Sequence, residues 1–207
     1  MFGSPTTVED EAAVFRLVWS YNIKQLDNRK KARCACDGSP KTGVARILDY
    51  TNANCVDHTG SRMFYAIAAV KNFLIYGADI TNAFGDAPPP KQGIFVHTDR
   101  EFREWWEVHK KRPRIQQRYV VPILAEMQGH PKAPRLWQKY ADQILWIVKF
   151  TATAHKPCLY AGLIQGERIL VKRQVDDFEI AVPSERIGNI LFDTIDKLLT
   201  FSLKQMR

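Results

Sequence analysis

The sequence predicts an α+β fold: an antiparallel-rich sheet with its helices on one face, in a split βαβ (ferredoxin-like) order. Three observations lead there. Short β-prone runs alternate with turn-forming residues along most of the chain. Two later stretches place apolar residues at helical spacing, one running Leu136, Trp137, Tyr140, Ala141, Ile144, Leu145, Val148 and the other Ile187, Ile190, Leu191, Ile195, Leu198. Between them lies an acid-tipped hairpin, Arg168 to Val182, whose two β-prone arms flank Asp176-Asp177. Strand, helix, hairpin and helix in that order make a split βαβ unit.

The 207 residues suffice for one generous domain or two small ones, and 45% hydrophobic with 25% charged residues is a balance that buries a core in water. No apolar run is long enough for a membrane span, and the N-terminus is acidic where a signal peptide is basic and then apolar. Cys34, Cys36, Cys55 and Cys158 lack the paired spacing of a zinc site, so free thiols and an intracellular, non-secreted location are expected, with no membrane partner. The net charge of +8 favours an anionic partner, and the excess gathers at Arg29-Lys30-Lys31 with Arg33 and again at Lys110-Lys111-Arg112 with Arg114. Such clusters track phosphates in nucleic-acid-binding proteins and are solvated loops in many others.

Residues 1–11 read as a loose, flexible lead-in. Val14–Leu26 and Lys30–Cys36 read as two short strands joined by a turn at Leu26-Asp27-Asn28, and Asp37–Gly43 as a loop. A helix is expected from Thr59 to Lys71, with Met63, Phe64, Ile67, Ala68 and Val70 at helical spacing. Asn72–Asp79 is a short apolar run ending in an acid, a buried strand with Asp79 at its carboxyl end, where α/β sheets often put chemistry. Asp79 would equally serve as the N-cap of a turn of helix through Thr81-Asn82-Ala83-Phe84. Ala87-Pro88-Pro89-Pro90 ends any helix, and a strand resumes at Gly93–His97. Residues 99–114 form a short helix and loop whose Trp105 and Trp106, beside the second basic cluster, either stack on bases or cap a core. Tyr119–Leu124 is a strand closed by the turn-rich Met127–Arg135, Cys158–Leu163 is another, and Ser184 is the N-cap expected for the last helix.

An Asp-Asp pair inside a strand is unfavourable, because Asp disfavours sheets and like charges repel. At a hairpin tip it is either an ordinary polar turn or a pair of ligands for a divalent cation. Asp79 supplies a further acid that favours the second. On a split βαβ sheet, Asp79 and Asp176 can end on adjacent central strands, and carboxylates converging on two cations are what in-line phosphoryl transfer uses.

At these positions the chain resembles the copia-type retrotransposon reverse transcriptase. The blocks are Gly77-Ala78-Asp79-Ile80-Thr81-Asn82-Ala83-Phe84, Met127-Gln128-Gly129-His130-Pro131-Lys132-Ala133-Pro134-Arg135-Leu136-Trp137 and Gln174-Val175-Asp176-Asp177, with Trp19–Lys24 and Lys31-Ala32-Arg33 upstream. The resemblance covers about residues 14–200 and implies a polymerase palm (about 72–85 and 126–200) with a small fingers subdomain (about 12–71 and part of 86–125), followed by a truncated tail at 201–207. It implies that Asp79 and Asp176 hold two Mg²⁺ (or Mn²⁺) ions, helped by the backbone carbonyl of Ile80 and by Asp177 as third acid. It implies a nucleotide pocket from Phe84, under the incoming sugar, and from Gln128 and Gly129, with Lys31 and Arg33 on triphosphate oxygens. By bulk, Phe84 would exclude a 2′-hydroxyl. From residue type alone, Phe84 would equally be core packing, Arg33 a strand-edge charge, and Arg135 and Trp137 structural residues. The implied partners are a primed RNA or DNA template, deoxynucleoside triphosphates and other parts of a retrotransposon polyprotein, in a cytoplasmic virus-like particle or the nucleus.

Two departures stand out. Gln174 replaces the aromatic residue that opens the family's hairpin block, and Gly129-His130-Pro131-Lys132 replaces its glycine-leucine-lysine. The chain ends where a primer grip and thumb would continue, so a second expectation is an inactive truncated relic that binds nucleic acid without extending a primer. A metal-dependent nuclease on the same acids is a third.

Overall fold

Alternating burial builds the first sheet. In β1 (Ala13–Ile23), Ala13 and Phe15 point into the core while Arg16 is exposed. β1 pairs antiparallel with β2 (Lys30–Cys36), from Leu17↔Cys36 to Ile23↔Lys30, and parallel with β4 (Ile94–His97), which pairs antiparallel with β5 (Val120–Pro122), giving the order β2-β1-β4-β5. The structure, a computed structural model, describes residues 2–8, 13–23, 28–39, 52–80, 83–88, 93–198 and 201–205. The expected turn at 26–27, the loop at 40–43, Thr81, Asn82, Pro89 and Pro90 lie outside these residues.

The chain divides into two units, Met1–Thr51 with Ala87–Leu136 and Asn52–Asp86 with Trp137–Arg207. In the first, the lead-in expected to be loose is tied at Phe2, Gly3 and Thr6. Thr6 and Val120 exchange both backbone hydrogen bonds at 2.9 Å, and Gly3 N–H donates to the Pro122 carbonyl at 2.8 Å. The core holds Phe15, Ile94, Val96, Phe102, Val121 and Met127. α3 (Arg100–Val108) is capped by Asp99, whose Oδ1 accepts from Phe102 N–H at 2.7 Å and whose Oδ2 accepts the Trp19 indole N–H at 2.5 Å. Trp106 is buried in this core and Trp105 packs against it. His130 is also interior: its Nδ1 lies 2.9 Å from Glu126 Oε2 and its ring meets Phe15 edge-on.

In the second unit six strands stand in the order β10-β3-β9-β8-β7-β6, every neighbouring pair antiparallel. These are β3 (Leu74–Ile80), β6 (Thr151–Ala152), β7 (Leu159–Ile164), β8 (Glu167–Gln174), β9 (Asp177–Val182) and β10 (Phe201–Gln205). Residues 201–205, expected to be a tail, thus form a strand against β3.

The helices are α1 (His58–Val70), the short α2 (Ala83–Asp86), α4 (Ala133–Ile147), whose first residues belong to the first unit, and α5 (Glu185–Asp196). Register shows which sheet face each covers, since paired residues share a face. Tyr76, Ile180, Val171 and Tyr160 are mutual partners. On that side α5 sets Phe192 edge-on to Tyr76 and α4 accepts the Tyr160 hydroxyl on Asp142 at 2.5 Å. Ile75, Ala181 and Leu170 form the opposite column, and there α1 packs Phe64 and Ala68. Two helices on one face is as expected. α1 on the other corrects the expectation that one face carries them all, because periodicity marks a helix's apolar side but not the sheet face that receives it. α1 starts at Asp57, not at a Thr or Ser: Asp57 Oδ1 accepts from Gly60 N–H at 2.6 Å and Lys156 pairs with its other oxygen.

The architecture is α+β, with two sheets and five helices among the described residues. No helix among them is long and apolar enough to cross a membrane. The four cysteines are free, and burial, then Cys34 and Glu126, push the Cys36 thiol up to about 12.

Candidate active site

The acidic cluster is built by strand register. Asp79, next to last in β3, is the cross-strand partner of Asp177, the first residue of β9, so both carboxylates leave the sheet on one face. Asp177 also pairs with Gln174, which leaves Val175-Asp176 as a two-residue hairpin turn. Sequences distant in the chain therefore place three carboxylates at one end of two adjacent strands. The Asp177 carboxyl feels it: partial burial, then the charges of Asp176, Asp79 and Glu179, hold it above the usual range.

The turn is strained and anchored. Val175 has φ 57°, a left-handed conformation that a β-branched residue rarely takes. Its carbonyl accepts the Trp137 indole N–H at 2.8 Å, and Trp137 has no exposed surface. Trp137 is structural, as its place on an amphipathic helix suggests, but the structure it holds is the turn that carries Asp176. That contact leaves no local signal in the sequence, because the partner is a backbone atom on another element.

Beside the acids on the same face lies a second polar group. Glu179 pairs with Lys172 across the hairpin, and Lys172 Nζ is 2.8 Å from Glu179 Oε2. Tyr65 of α1 donates its hydroxyl to the same Glu179 oxygen at 2.5 Å, and the Lys172 ammonium sits 4.5 Å from the Tyr65 ring centre. Lys172 is 6% exposed, so its cation needs both partners. A two-residue turn would have located this pair from sequence: counting outward from 174 and 177 gives 172 opposite 179. On the other face, buried Arg173 donates from Nε to the Tyr160 hydroxyl at 3.1 Å.

The other expected site residues fall as follows. Ile80 is buried and its β10 partner is Phe201. Phe84 is half-buried in α2, in the same unit as the acids. Lys31, Arg33, Gln128 and Gly129 belong to the first unit. Lys31, half-buried, and Arg33, exposed, share one face of the edge strand β2. The Gln128 carbonyl accepts Cys36 N–H at 2.7 Å at the end of that strand, with the Gln128 side chain exposed. Gly129, at φ 82°, lies so close to Cys36 that an added Cβ would strike its carbonyl. The structure thus brings the three acids together in one unit and ties Gln128-Gly129 to the strand of Lys31 and Arg33 in the other.

Among the described residues no group of three or more His, Cys, Asp or Glu side chains is placed to hold a metal ion. Mg²⁺ does not ask for one, since it is commonly held by one or two carboxylates plus substrate phosphates and water. The donor set suits it: hard oxygens only, with a mutual repulsion, felt at Asp177, that a cation would relieve. No protein-family model matches the chain, and no curated protein matches it.

Proposed function

We propose that this chain is the fingers and palm of an RNA-directed DNA polymerase of the copia retrotransposon type, the second unit acting as palm and the first as fingers. The observation that carries the reading is the Asp79↔Asp177 register beside the Val175-Asp176 turn, which sets acids from two separate sequence blocks side by side. Asp79 and Asp176, with Asp177 and the Ile80 carbonyl, would hold two Mg²⁺ ions. When bound, such ions activate an attacking hydroxyl and stabilise a leaving phosphate oxygen.

The chain's own residues orient the reactants. Trp137 holds the turn so that Asp176 keeps its place, and Lys172 with Tyr65 fixes Glu179 and limits the negative field beside Asp177. Phe84 would lie under the incoming sugar. Lys31 and Arg33 would pair with triphosphate oxygens, the guanidinium being suited to bidentate contact. The substrates are deoxynucleoside triphosphates and a primed template, inside the cell in a cytoplasmic particle or the nucleus.

Primer extension on an RNA template with Mg²⁺ or Mn²⁺ tests this, with Asp176→Asn as the comparison. Wild-type extension that falls by about a thousandfold or more in the variant is expected, because losing one preorganised charge at a phosphoryl-transfer centre costs several kcal/mol of barrier. Extension that survives the substitution would remove Asp176 from the chemistry. Salt-sensitive template binding without extension would instead make the chain an inactive relic, and Mg²⁺-dependent cleavage of a duplex would make it a nuclease.

A further inference from the structure

The first unit also holds a cleft of about 330 Å³ between the N-terminal Ser4-Pro5 and the segment after α3. Its floor is apolar, with Trp106 and Ile115 buried and Tyr119 half-buried, and its rim carries the exposed Arg112 and Arg114. Residues 110–118 contain Lys110, Lys111, Arg112, Arg114 and Arg118 and no acid. Two of these cations are already engaged on aromatic faces, Lys110 at 5.3 Å from the Trp105 ring centre and Arg118 at 5.3 Å from that of Tyr119. Arg112 and Arg114 enter no ion pair among the described residues. The Arg112 backbone N–H bonds the Trp106 carbonyl at 3.4 Å, which keeps the rim beside the floor.

Two guanidiniums with no carboxylate partner among the described residues, set over an apolar floor, fit a ligand with anionic oxygens and a flat, weakly polar body. We propose that this cleft binds a single strand of nucleic acid, with Arg112 and Arg114 on backbone phosphates and a base against Trp106, Ile115 and Tyr119. Nucleic-acid grooves of this kind combine a basic rim with an aromatic floor and tolerate any sequence. The inference rests on the polymerase reading only for the identity of that strand as template. Neither arginine lies among the acids or the expected nucleotide residues.

Fluorescence anisotropy of a labelled oligothymidylate of about a dozen nucleotides, titrated with NaCl in EDTA, tests the cleft without involving any metal. Arg112→Ala/Arg114→Ala should weaken binding roughly tenfold and lower the salt slope by about 1.4, the release expected for two phosphates on a single strand. Arg112→Lys/Arg114→Lys keeps the charge and should lie between, which separates a lost contact from a lost fold. Lys71→Ala/Lys197→Ala removes equal charge from exposed helix ends of the second unit and should change affinity by less than about twofold. Equal loss in that control, no loss in the alanine pair, or arginine-dependent polyglutamate binding as tight as the oligonucleotide would overturn the proposal. Extension activity with an intact-affinity alanine pair would sink the cleft and leave the polymerase reading standing; arginine-dependent binding without extension does the reverse.

Discussion

Gly129 and Val175 both turn the chain at positive φ, 82° and 57°, and they are held there for opposite reasons. At Gly129 the backbone conformation and the close approach of Cys36 both demand a residue without a side chain. At Val175 a β-branched residue is kept in a conformation it disfavours by the hairpin on both sides and the Trp137 indole on its carbonyl. One turn is shaped by absence of bulk, the other by an anchor. Strain is stored only at the second, and that is the turn carrying Asp176.

The largest effect should come from the first. Gly129→Ala adds a methyl where the Cys36 carbonyl stands and forces a left-handed alanine besides, so a loss of upward of about 4 kcal/mol is expected. Urea unfolding followed by Trp fluorescence measures it. A loss under about 1 kcal/mol would mean that the turn moves freely away from Cys36.

Trp137→Phe removes the indole N–H and leaves the Val175 carbonyl without its donor, a loss of about 1–3 kcal/mol. Val175→Gly relieves about 1–3 kcal/mol of backbone strain against about 0.5–1 kcal/mol of glycine entropy, so it should be neutral to mildly stabilising. If the indole holds the strained turn, the two substitutions couple, and the glycine variant should lose less when Trp137 is replaced. Additive unfolding energies in the double-mutant cycle would mean that Trp137 is ordinary core. Under the proposed function, Trp137→Phe should also lower kcat more than it raises KM, since it displaces a catalytic carboxylate and no substrate contact.

The contrast also marks what could be read in the sequence. Gly129 was visible as a glycine inside a turn-rich block, and Asp176-Asp177 as a pair too awkward for a strand interior. Their assembly with Asp79 followed from the order of strands, because a split βαβ sheet puts those strands next to each other. The anchor was not visible: it joins a side chain on α4 to a backbone carbonyl on another element, and neither leaves a residue-type signature. The same limit hid the pairing of Phe2 and Thr6 with the β5 segment, and β10, whose short apolar-polar alternation from Phe201 to Lys204 fits a strand but names no partner. Lys172 and Arg173 were obscured differently. Consecutive cations in a strand read as exposed, yet both are buried, because Glu179 and Tyr65 meet one and Tyr160 the other.

The smallest effect concerns the field that the acid-tipped turn creates. Asp177 is pushed above the ordinary carboxylate range by partial burial and then by Asp176, Asp79 and Glu179, so the fold disfavours its ionised form. The folded chain therefore keeps that proton to higher pH than the unfolded chain, and this group's contribution to stability falls as pH rises through the raised pKa. Asp177→Asn removes the charge and should raise the metal-free melting temperature at neutral pH by about 1–2 °C, the exposure of Asp177 and Asp79 keeping it small. The gain should shrink as pH drops below the unfolded carboxylate value, about 3.9, where wild-type Asp177 is neutral as well. Adding Mg²⁺ should then raise the wild-type melting temperature more than that of the variant, because the ion stabilises the state that holds it in proportion to its affinity. An asparagine variant that melts below wild type at neutral pH would show that Asp177 is held by attraction, not crowded by its neighbours, and that the turn's strain serves something other than gathering negative charge.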